Sequence, residues 1–572
     1  MKYIGLTIGP IIKTLSMARK PRELWSASYL FSFLMQTLIR NIKKNKRLTL
    51  ISPASGSIDI YEEIGTYPDR LFCFYSDNFS FSEISEIIDN SLAECEKEGC
   101  GASKETMKNY FKIYAMELIP EEGINPVMEL NKKLDSLELH NIATVEQYEN
   151  NIRNLIFKDK KSGLFKIAVD SDYFPVETLG EIASAQLAQI NYDKYMKCKK
   201  ESDFKELTKR LGRKFKETNK GSTLQSTSEE PDTKTPDEIQ FFKKLKVNFA
   251  TDCPATHKFT TAHKYICIVY ADGDNMGSFI NTLTTNQLTS FSGQLLEFGI
   301  KASEAIREFQ GLPIYAGGDD LLFVAPVVAM AITEEGKEIP QTIFDLVRTI
   351  DNIFAGRVNT FLKDNQMDST IKIPTMSFGV SITYYKYPLY EALNMSRDLL
   401  FGKAKHVDGK NAIAWTLQKN SGSAVSGQFS KTTDENGEPN GVYQKLITLL
   451  ESINVSMDEN FVSAVPHKIK ASEVLLGTLM GDSKKAFQPE RLAAFFDNTL
   501  ERKSKNKIEK AYLEAVEELL PVLHQSLLEA NSKKKDNDRK MESKIIKETV
   551  ENMYGILRTA KFIKGLEEDK DE

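Results

Sequence analysis

Four aspartates carry the strongest chemical signal in this sequence. Asp272 and Asp274 lie in ADGDNMG (Ala271–Gly277), at the end of the apolar run KYICIVY (Lys264–Tyr270), and Asp319 and Asp320 close GGDD directly after LPIYA (Leu312–Ala316). Carboxylates gathered at one sheet edge repel each other unless a cation sits among them, so a divalent metal is the natural occupant. Mg²⁺ takes one or two carboxylates and completes its coordination with phosphate oxygens, which points to a nucleoside triphosphate beside it. Gly317 and Gly318 leave room for backbone to approach phosphates. Asp274 ahead of Asn275-Met276-Gly277 is placed to cap a following helix whose first N–H groups face an anion. The competing reading of either motif alone is solvated turn chemistry; both together, each after a strong apolar strand, favour a catalytic site.

The elements that must position these residues follow from periodicity. Lys264–Tyr270 reads as a buried strand, Ser290–Phe309 as a helix, and LPIYA-GGDD-LLFVAPV as a β-hairpin whose turn carries the second acidic pair. Ile343–Leu362 and Leu389–Lys405 are predicted helices, and Thr375–Tyr385 and Ala412–Trp415 predicted strands. Upstream, Tyr3–Ile8, Leu48–Ser52, Leu71–Tyr75 and Ile167–Val169 read as strands, with helices over Arg22–Arg40, Phe81–Leu92 and Thr144–Ile156. Their order, β-α-β-β-α-β, suits a ferredoxin-like sandwich. Ile546, Val550, Met553 and Leu557 share one face of a C-terminal helix. The expected architecture is therefore α+β: two ferredoxin-like palm modules and a C-terminal helical bundle. The expected boundaries are a first module over 1–200, a connector over 201–261, a second module over 262–420 and a helical part over 421–572. Within the connector, 220–237 is too polar to bury a core, and Asn420–Gly441 reads as a second boundary.

Composition narrows the class. The chain has 572 residues, 41% hydrophobic and 27% charged, which excludes collagen-like and wholly disordered proteins. The longest apolar run, Leu321–Ile332, has 12 residues and contains Pro326, too short to cross a bilayer. With no leader pattern at the start, the expected location is cytoplasmic. Six scattered cysteines form no C-x-x-C pair, so structural thiols are the default over a Cys95–Cys100 metal site. Net charge is −5, so composition alone demands no nucleic-acid partner. The basic clusters Lys43, Lys44, Lys46, Arg47 and Lys533–Lys535, Arg539, Lys540 lack interleaved aromatics and read as solvated surface.

ADGDNMG and GGDD, followed by SFGVSI (Ser377–Ile382) and KAKHVDGKN (Lys403–Asn411), resemble the palm of the Cas10 family, the large subunits of type III CRISPR effector complexes. IGP (Ile8–Pro10), ARKPRELWSASYL (Ala18–Leu30), PDRLF (Pro68–Phe72) and DYFPVETLGEIA (Asp172–Ala183) are similar to the Cmr2-type subunit of type III-B complexes. The resemblance implies a nucleotidyltransferase that uses ATP with Mg²⁺ or Mn²⁺. It marks Asp272, Asp319 and Asp320 as catalytic and metal-holding, the Gly273 carbonyl as a helper, and Lys405 and Lys410 as counter-charges to a triphosphate. Gly317, Gly318, Gly273, Asp274 and Asn275 are then nucleotide-binding. The implied reaction is attack of a ribose 3′-hydroxyl on the α-phosphate of ATP with loss of pyrophosphate. The implied partners are the other type III-B subunits, the CRISPR RNA and target RNA.

Two departures from the family pattern matter. No histidine here is followed by Asp, so the HD nuclease domain with which most members begin is not expected, nor DNA cleavage. Asp69 stands before Arg70 where the family usually has Asn. An acidic group there suits a cationic acceptor, which favours S-adenosylmethionine as co-substrate over a second ATP and makes Asp69 and Arg70 acceptor-binding candidates; Asp69 pairing only with Arg70 is the alternative. An inactive cyclase-like scaffold is the competing function, and a diguanylate cyclase is disfavoured because Leu321 follows Asp319-Asp320 where Glu-Phe is usual.

Overall fold

The computed structural model describes residues 1–54, 64–75, 78–97, 103–121, 123–139, 179–184, 260–332, 338–367, 371–407, 409–433, 439–454, 456–480, 487–532 and 539–566. The expected helix at 144–156, strand at 167–169, polar stretch at 220–237 and basic residues 533–535 lie outside them.

Near the N-terminus, β1 (Lys2–Gly9) is followed by α1 (Ile11–Ser16), α2 (Pro21–Lys44), β2 (Leu48–Ser52), β3 (Arg70–Tyr75), α3 (Glu83–Lys97), α4 (Lys104–Tyr110), β4 (Lys112–Leu118) and α5 (Pro126–Glu138). Pro21 opens α2 at a position with no N–H bond to lose. Leu24, Trp25, Leu30, Phe31, Leu34 and Leu38 bury it on several sides. The sheet order β2-β3-β1-β4, with all three pairings antiparallel, is that of a ferredoxin-like unit. Its fourth strand is Lys112–Leu118, which sequence reading missed. KIYAMEL alternates only weakly, and every residue of it is half-buried, as at a sheet edge.

The second sheet has the order β12-β11-β10-β5-β7-β6. Its strands are β5 (Tyr265–Asp274), β6 (Leu312–Gly317), β7 (Asp320–Pro326), β10 (Thr375–Tyr384), β11 (Ala412–Gln418) and β12 (Ala424–Ser430), with the small hairpin β8 (Val328–Ile332) and β9 (Glu338–Thr342) beyond β7. α6 (Leu179–Ala183) precedes β5, and α7 (Met276–Ile280), α8 (Thr285–Glu308), α9 (Ile343–Asp364) and α10 (Leu389–Gly402) run between the strands. Capping boxes start α8 (Thr284 with Gln287) and α9 (Thr342 with Asp345). β5 is apolar from Tyr265 to Ala271 because both its faces are covered there. Cys267, Val269 and Ala271 join the core under α8 and α9, while Ile266 and Ile268 join the core shared with α2 and α10.

Two expectations are corrected. The stretch from Asn420 to Gly441, read as a boundary, contains β12. Val425, Gly427 and Phe429 are its inward residues, and a Cβ on Gly427 would stand 2.4 Å from the Trp415 ring, so polar spacing residues hid a strand shaped to cover that indole. The helix expected to reach Lys405 ends at Gly402, and Lys405 sits in a separate 3₁₀ turn, Ala404–His406. C-terminal to the sheet, the helices Gly441–Ser452, Glu459–Ala471, Lys507–Ser532 and Arg539–Ile563 pack together, with Val550, Met553 and Leu557 fully buried. They also grip the sheet: Trp415 Nε1 donates to Thr559 Oγ1 at 3.0 Å.

The two sheets meet at the β6 edge. Ala316 N donates to Gly65 O at 2.8 Å, and Gly65 bridges Tyr315 in a parallel sense.

Candidate active site

The acidic motifs converge where β5 and β7 end. The antiparallel register pairs Ala271 with Leu321, so Asp272 and Asp320 occupy the next positions outward on neighbouring strands. Strand alternation turns Asp272 and Asp274 to the α10 side of β5 and Gly273 to the other. Asp319 lies against Gly273, where a Cβ would come within 2.6 Å of its Oδ2. Gly273 is thus required by the close approach of an aspartate.

Asp274 is fully buried. Its Oδ2 accepts from Ser377 Oγ (2.7 Å), Thr375 Oγ1 (3.2 Å) and the Asn411 backbone N–H (2.9 Å), while Oδ1 has no hydrogen-bond partner. It ties β5 to β10 and to the loop before β11. The expected helix cap falls instead to Asn275, in the left-handed region (φ 61°) and making no side-chain capping bond, because Asp274 is drawn inward by three donors. The donor set sits in SFGVSI and KAKHVDGKN; what sequence reading missed is that these motifs satisfy an aspartate.

Lys405 sits where a cation would. Its ammonium is ion-paired with Asp272, donates to the Gly273 carbonyl at 2.9 Å and lies 3.7 Å from Asp274 Oδ1. Burial and the charge of Lys410 press its pKa down to about 8. Lys410 itself stands in a left-handed turn (φ 58°) close enough to Lys405 for that repulsion.

Charge in the surroundings is strongly one-sided. Burial raises the carboxyls of Asp319 and Asp320; the charge of Asp320 raises Asp319 further, and Asp69 raises both. Asp69 is itself raised, chiefly by burial. The chain leading into β3 thereby presents Asp69 to the GGDD turn. Arg70 is turned away into an anchor on α5, bonding Asn131 Oδ1 (2.9 Å), Asp135 Oδ1 (2.6 Å) and Glu138 Oε1 (3.0 Å). Gly318 adopts φ 69° with open space around it, whereas Gly317 makes room for Tyr315, whose hydroxyl would be 2.4 Å from an added Cβ. The half-buried Tyr315, whose phenol is raised by desolvation and then by Asp69 and Asp320, joins the site without any sequence signal.

Among the described residues no group of three or more His, Cys, Asp or Glu side chains forms a ready-made metal cage. The donors present are Asp272, the Gly273 carbonyl, Asp319 against Gly273, and Asp320 on the neighbouring strand. That set fits a Mg²⁺ that borrows its remaining oxygens from phosphate, and the Lys405 ammonium already stands in for such a cation.

Residues 265–414 match the family model "Cas10/Cmr2, second palm domain", and residues 3–111 match "CRISPR-associated protein Cmr2, N-terminal". Two stretches of the chain are thus similar to the Cas10/Cmr2 family. Over 186 residues the chain is 30% identical to the Cmr2 subunit of the CRISPR Cmr system of Pyrococcus furiosus, a stretch that covers 28% of this chain and 19% of that relative's length. A cryo-EM structure of type III-B Cmr-beta bound to cognate target RNA superposes with a TM-score of 0.50 at 11% identity, covering 89% of this chain and 79% of that one. The apo state of Cmr-beta gives 0.48 at 12% identity, covering 99% and 82%. The former likeness is one of fold, and the Cas10/Cmr2 palm is accordingly the mixed α+β frame that carries the acidic site. No helix among the described residues is long and apolar enough to cross a membrane.

Proposed function

We propose that this chain is the nucleotidyltransferase subunit of an RNA-guided type III-B antiviral complex. In this reading its two sheet units are paired palm modules and it works in the cytoplasm, assembled with the other effector subunits around CRISPR RNA and target RNA. Binding of target RNA shifts the palm toward its active arrangement. The observation that carries the reading is the Lys405 ammonium nested among Asp272, the Gly273 carbonyl and Asp274, a cation position at the GGDD turn.

Asp272 and Asp320, with the Gly273 carbonyl, would hold Mg²⁺ or Mn²⁺, which when bound supplies charge neutralisation at the triphosphate. Asp319, lying against Gly273, completes the set. Lys405 then leaves the carboxylates and, with Lys410, counters the charge that builds on the phosphates. A ribose 3′-hydroxyl attacks the α-phosphorus of ATP; the new O–P bond forms as the bond to the β-phosphate breaks, pyrophosphate leaves and the hydroxyl proton is lost. Asp69, half-buried and close enough to raise the carboxyls of Asp319 and Asp320, adds negative potential that favours a cationic acceptor. S-adenosylmethionine carries such a ribose together with a sulfonium and an amine, so the product is AMP joined to S-adenosylmethionine; cyclic oligoadenylate is the alternative.

The test is a reconstituted complex with target RNA, ATP and Mg²⁺, with and without S-adenosylmethionine, its products read by mass spectrometry. Asp320→Asn should abolish nucleotide product and pyrophosphate release while the complex still assembles. Assembly failure in that variant, or no product from the wild type, favours a scaffold role. An unchanged product profile on adding S-adenosylmethionine overturns the acceptor assignment.

A further inference from the structure

Phe401 closes α10 with 43% of its surface in solvent, an unusual position for a phenyl ring so close to the acidic site. The Lys405 ammonium, the same group that touches Asp272, lies 5.8 Å from its ring centroid. The Arg397 guanidinium, one helical turn back, lies 5.9 Å from it. Arg397 also acts electrostatically on Tyr270, which feels Asp320 in turn, so Arg397 and Phe401 border the same mouth as the carboxylates. The helix that carries the ring is seated closely on β10. Gly379 of β10 lets α10 approach so closely that an added Cβ would stand 2.2 Å from Ser396 O and 2.5 Å from Leu400 N, and Leu399 and Leu400 are buried beside it.

From this geometry we infer that Phe401, flanked by Arg397, is a stacking platform for the purine base of the nucleotide whose phosphates meet Lys405. A π-face bordered by cations and open to water gains by covering itself with an electron-rich aromatic base, and Lys405 fixes where the phosphates of that nucleotide lie. The contact is indifferent to which purine is present, so the platform supplies affinity and orientation, with base selectivity set elsewhere. The inference rests on the proposed nucleotide site and assigns the base end of it.

Fluorescence offers a clean test because both native tryptophans, Trp25 and Trp415, are buried, at 3% and 1% exposure. The variants are Phe401→Trp and Phe401→Ala in the full chain, assembled with its partners, probed with Mg²⁺–ATP and with Mg²⁺–tripolyphosphate, which lacks a base. ATP should quench the new indole of Phe401→Trp and tripolyphosphate should not. Phe401→Ala should weaken ATP binding roughly 5- to 150-fold and leave tripolyphosphate binding unchanged. If wild type binds ATP and Phe401→Ala binds it equally well, or loses tripolyphosphate to the same degree, the platform is wrong while the nucleotide site stands. If wild type binds neither probe, the nucleotide site fails and the platform with it.

Discussion

A single ammonium among Asp272, the Gly273 carbonyl and Asp274 leaves the site short of positive charge, since Asp69, Asp319 and Asp320 add three more carboxyls nearby. Opposite charges at this range in a partly dry site are worth several times their value in water. Lys405 therefore stabilises the empty site and competes with any incoming metal. Replacing it by the uncharged, similarly long methionine should remove that competitor: Lys405→Met is expected to bind Mn²⁺ more tightly than wild type without nucleotide, about tenfold for each 1.4 kcal/mol of competition relieved. The free Mn²⁺ signal in electron paramagnetic resonance measures it. The same variant should bind ATP less tightly, because the lysine is then missing from the triphosphate. Equal Mn²⁺ affinity in both proteins would show that the ion pair is incidental.

At the level of elements, β5 begins from a 3₁₀ turn, Thr261–Lys264, whose His263 is buried and accepts the Thr260 backbone N–H at 3.0 Å through Nδ1. Burial pushes its imidazole down from 6.5 to about 4. The unfolded chain therefore binds a proton between those values that the folded chain refuses. Stability is full above the unfolded pKa and declines as pH falls through the window, by about 2 kcal/mol at about pH 5. His263→Gln keeps an acceptor for the cap and cannot titrate. Thermal unfolding should accordingly show a smaller loss between neutral pH and about pH 5 in His263→Gln than in wild type. A parallel decline in the two proteins would assign the acid sensitivity to other groups. Because β5 carries Asp272, Gly273 and Asp274 at its far end, this turn helps set the register of the site.

On the scale of the whole molecule, the site draws on the chain around both sheets. The second sheet supplies Asp272, Asp319 and Asp320, and the first supplies Asp69; the joint between them runs through Gly65, whose carbonyl accepts the Ala316 N–H at 2.8 Å. A Cβ at Gly65 would stand 2.5 Å from Ser28 Oγ and 3.4 Å from Ile314 O. Gly65→Val should loosen the joint at a cost of about 1–3 kcal/mol, as overpacking does. Amide exchange at Ala316 should accelerate, and nucleotide product should fall although no carboxylate has changed. Unaltered exchange at Ala316 would mean that the sheets are held elsewhere, for instance by Ser292 Oγ, which accepts the Ala54 N–H at 2.8 Å.

The sequence by itself determined the chemistry-bearing motifs and the apolar strands that end in them. Carboxylates after a continuous apolar run, and glycines before an acidic turn, are local patterns written in neighbouring residues. It also marked the buried face of the last helix and the helices around the second sheet to within a few residues of their ends. Contacts between residues distant in the chain could be decided only by tertiary structure. Asp274 is satisfied by Thr375, Ser377 and Asn411, Lys405 is drawn onto Asp272, Arg70 is claimed by α5, and Tyr315 enters the site through a space left by Gly317. The strands Lys112–Leu118 and Ala424–Ser430 were obscure for the same reason. Edge strands with polar or small residues owe their conformation to the strand beside them, and a side chain's partner is fixed by where the chain folds back, which no local pattern encodes.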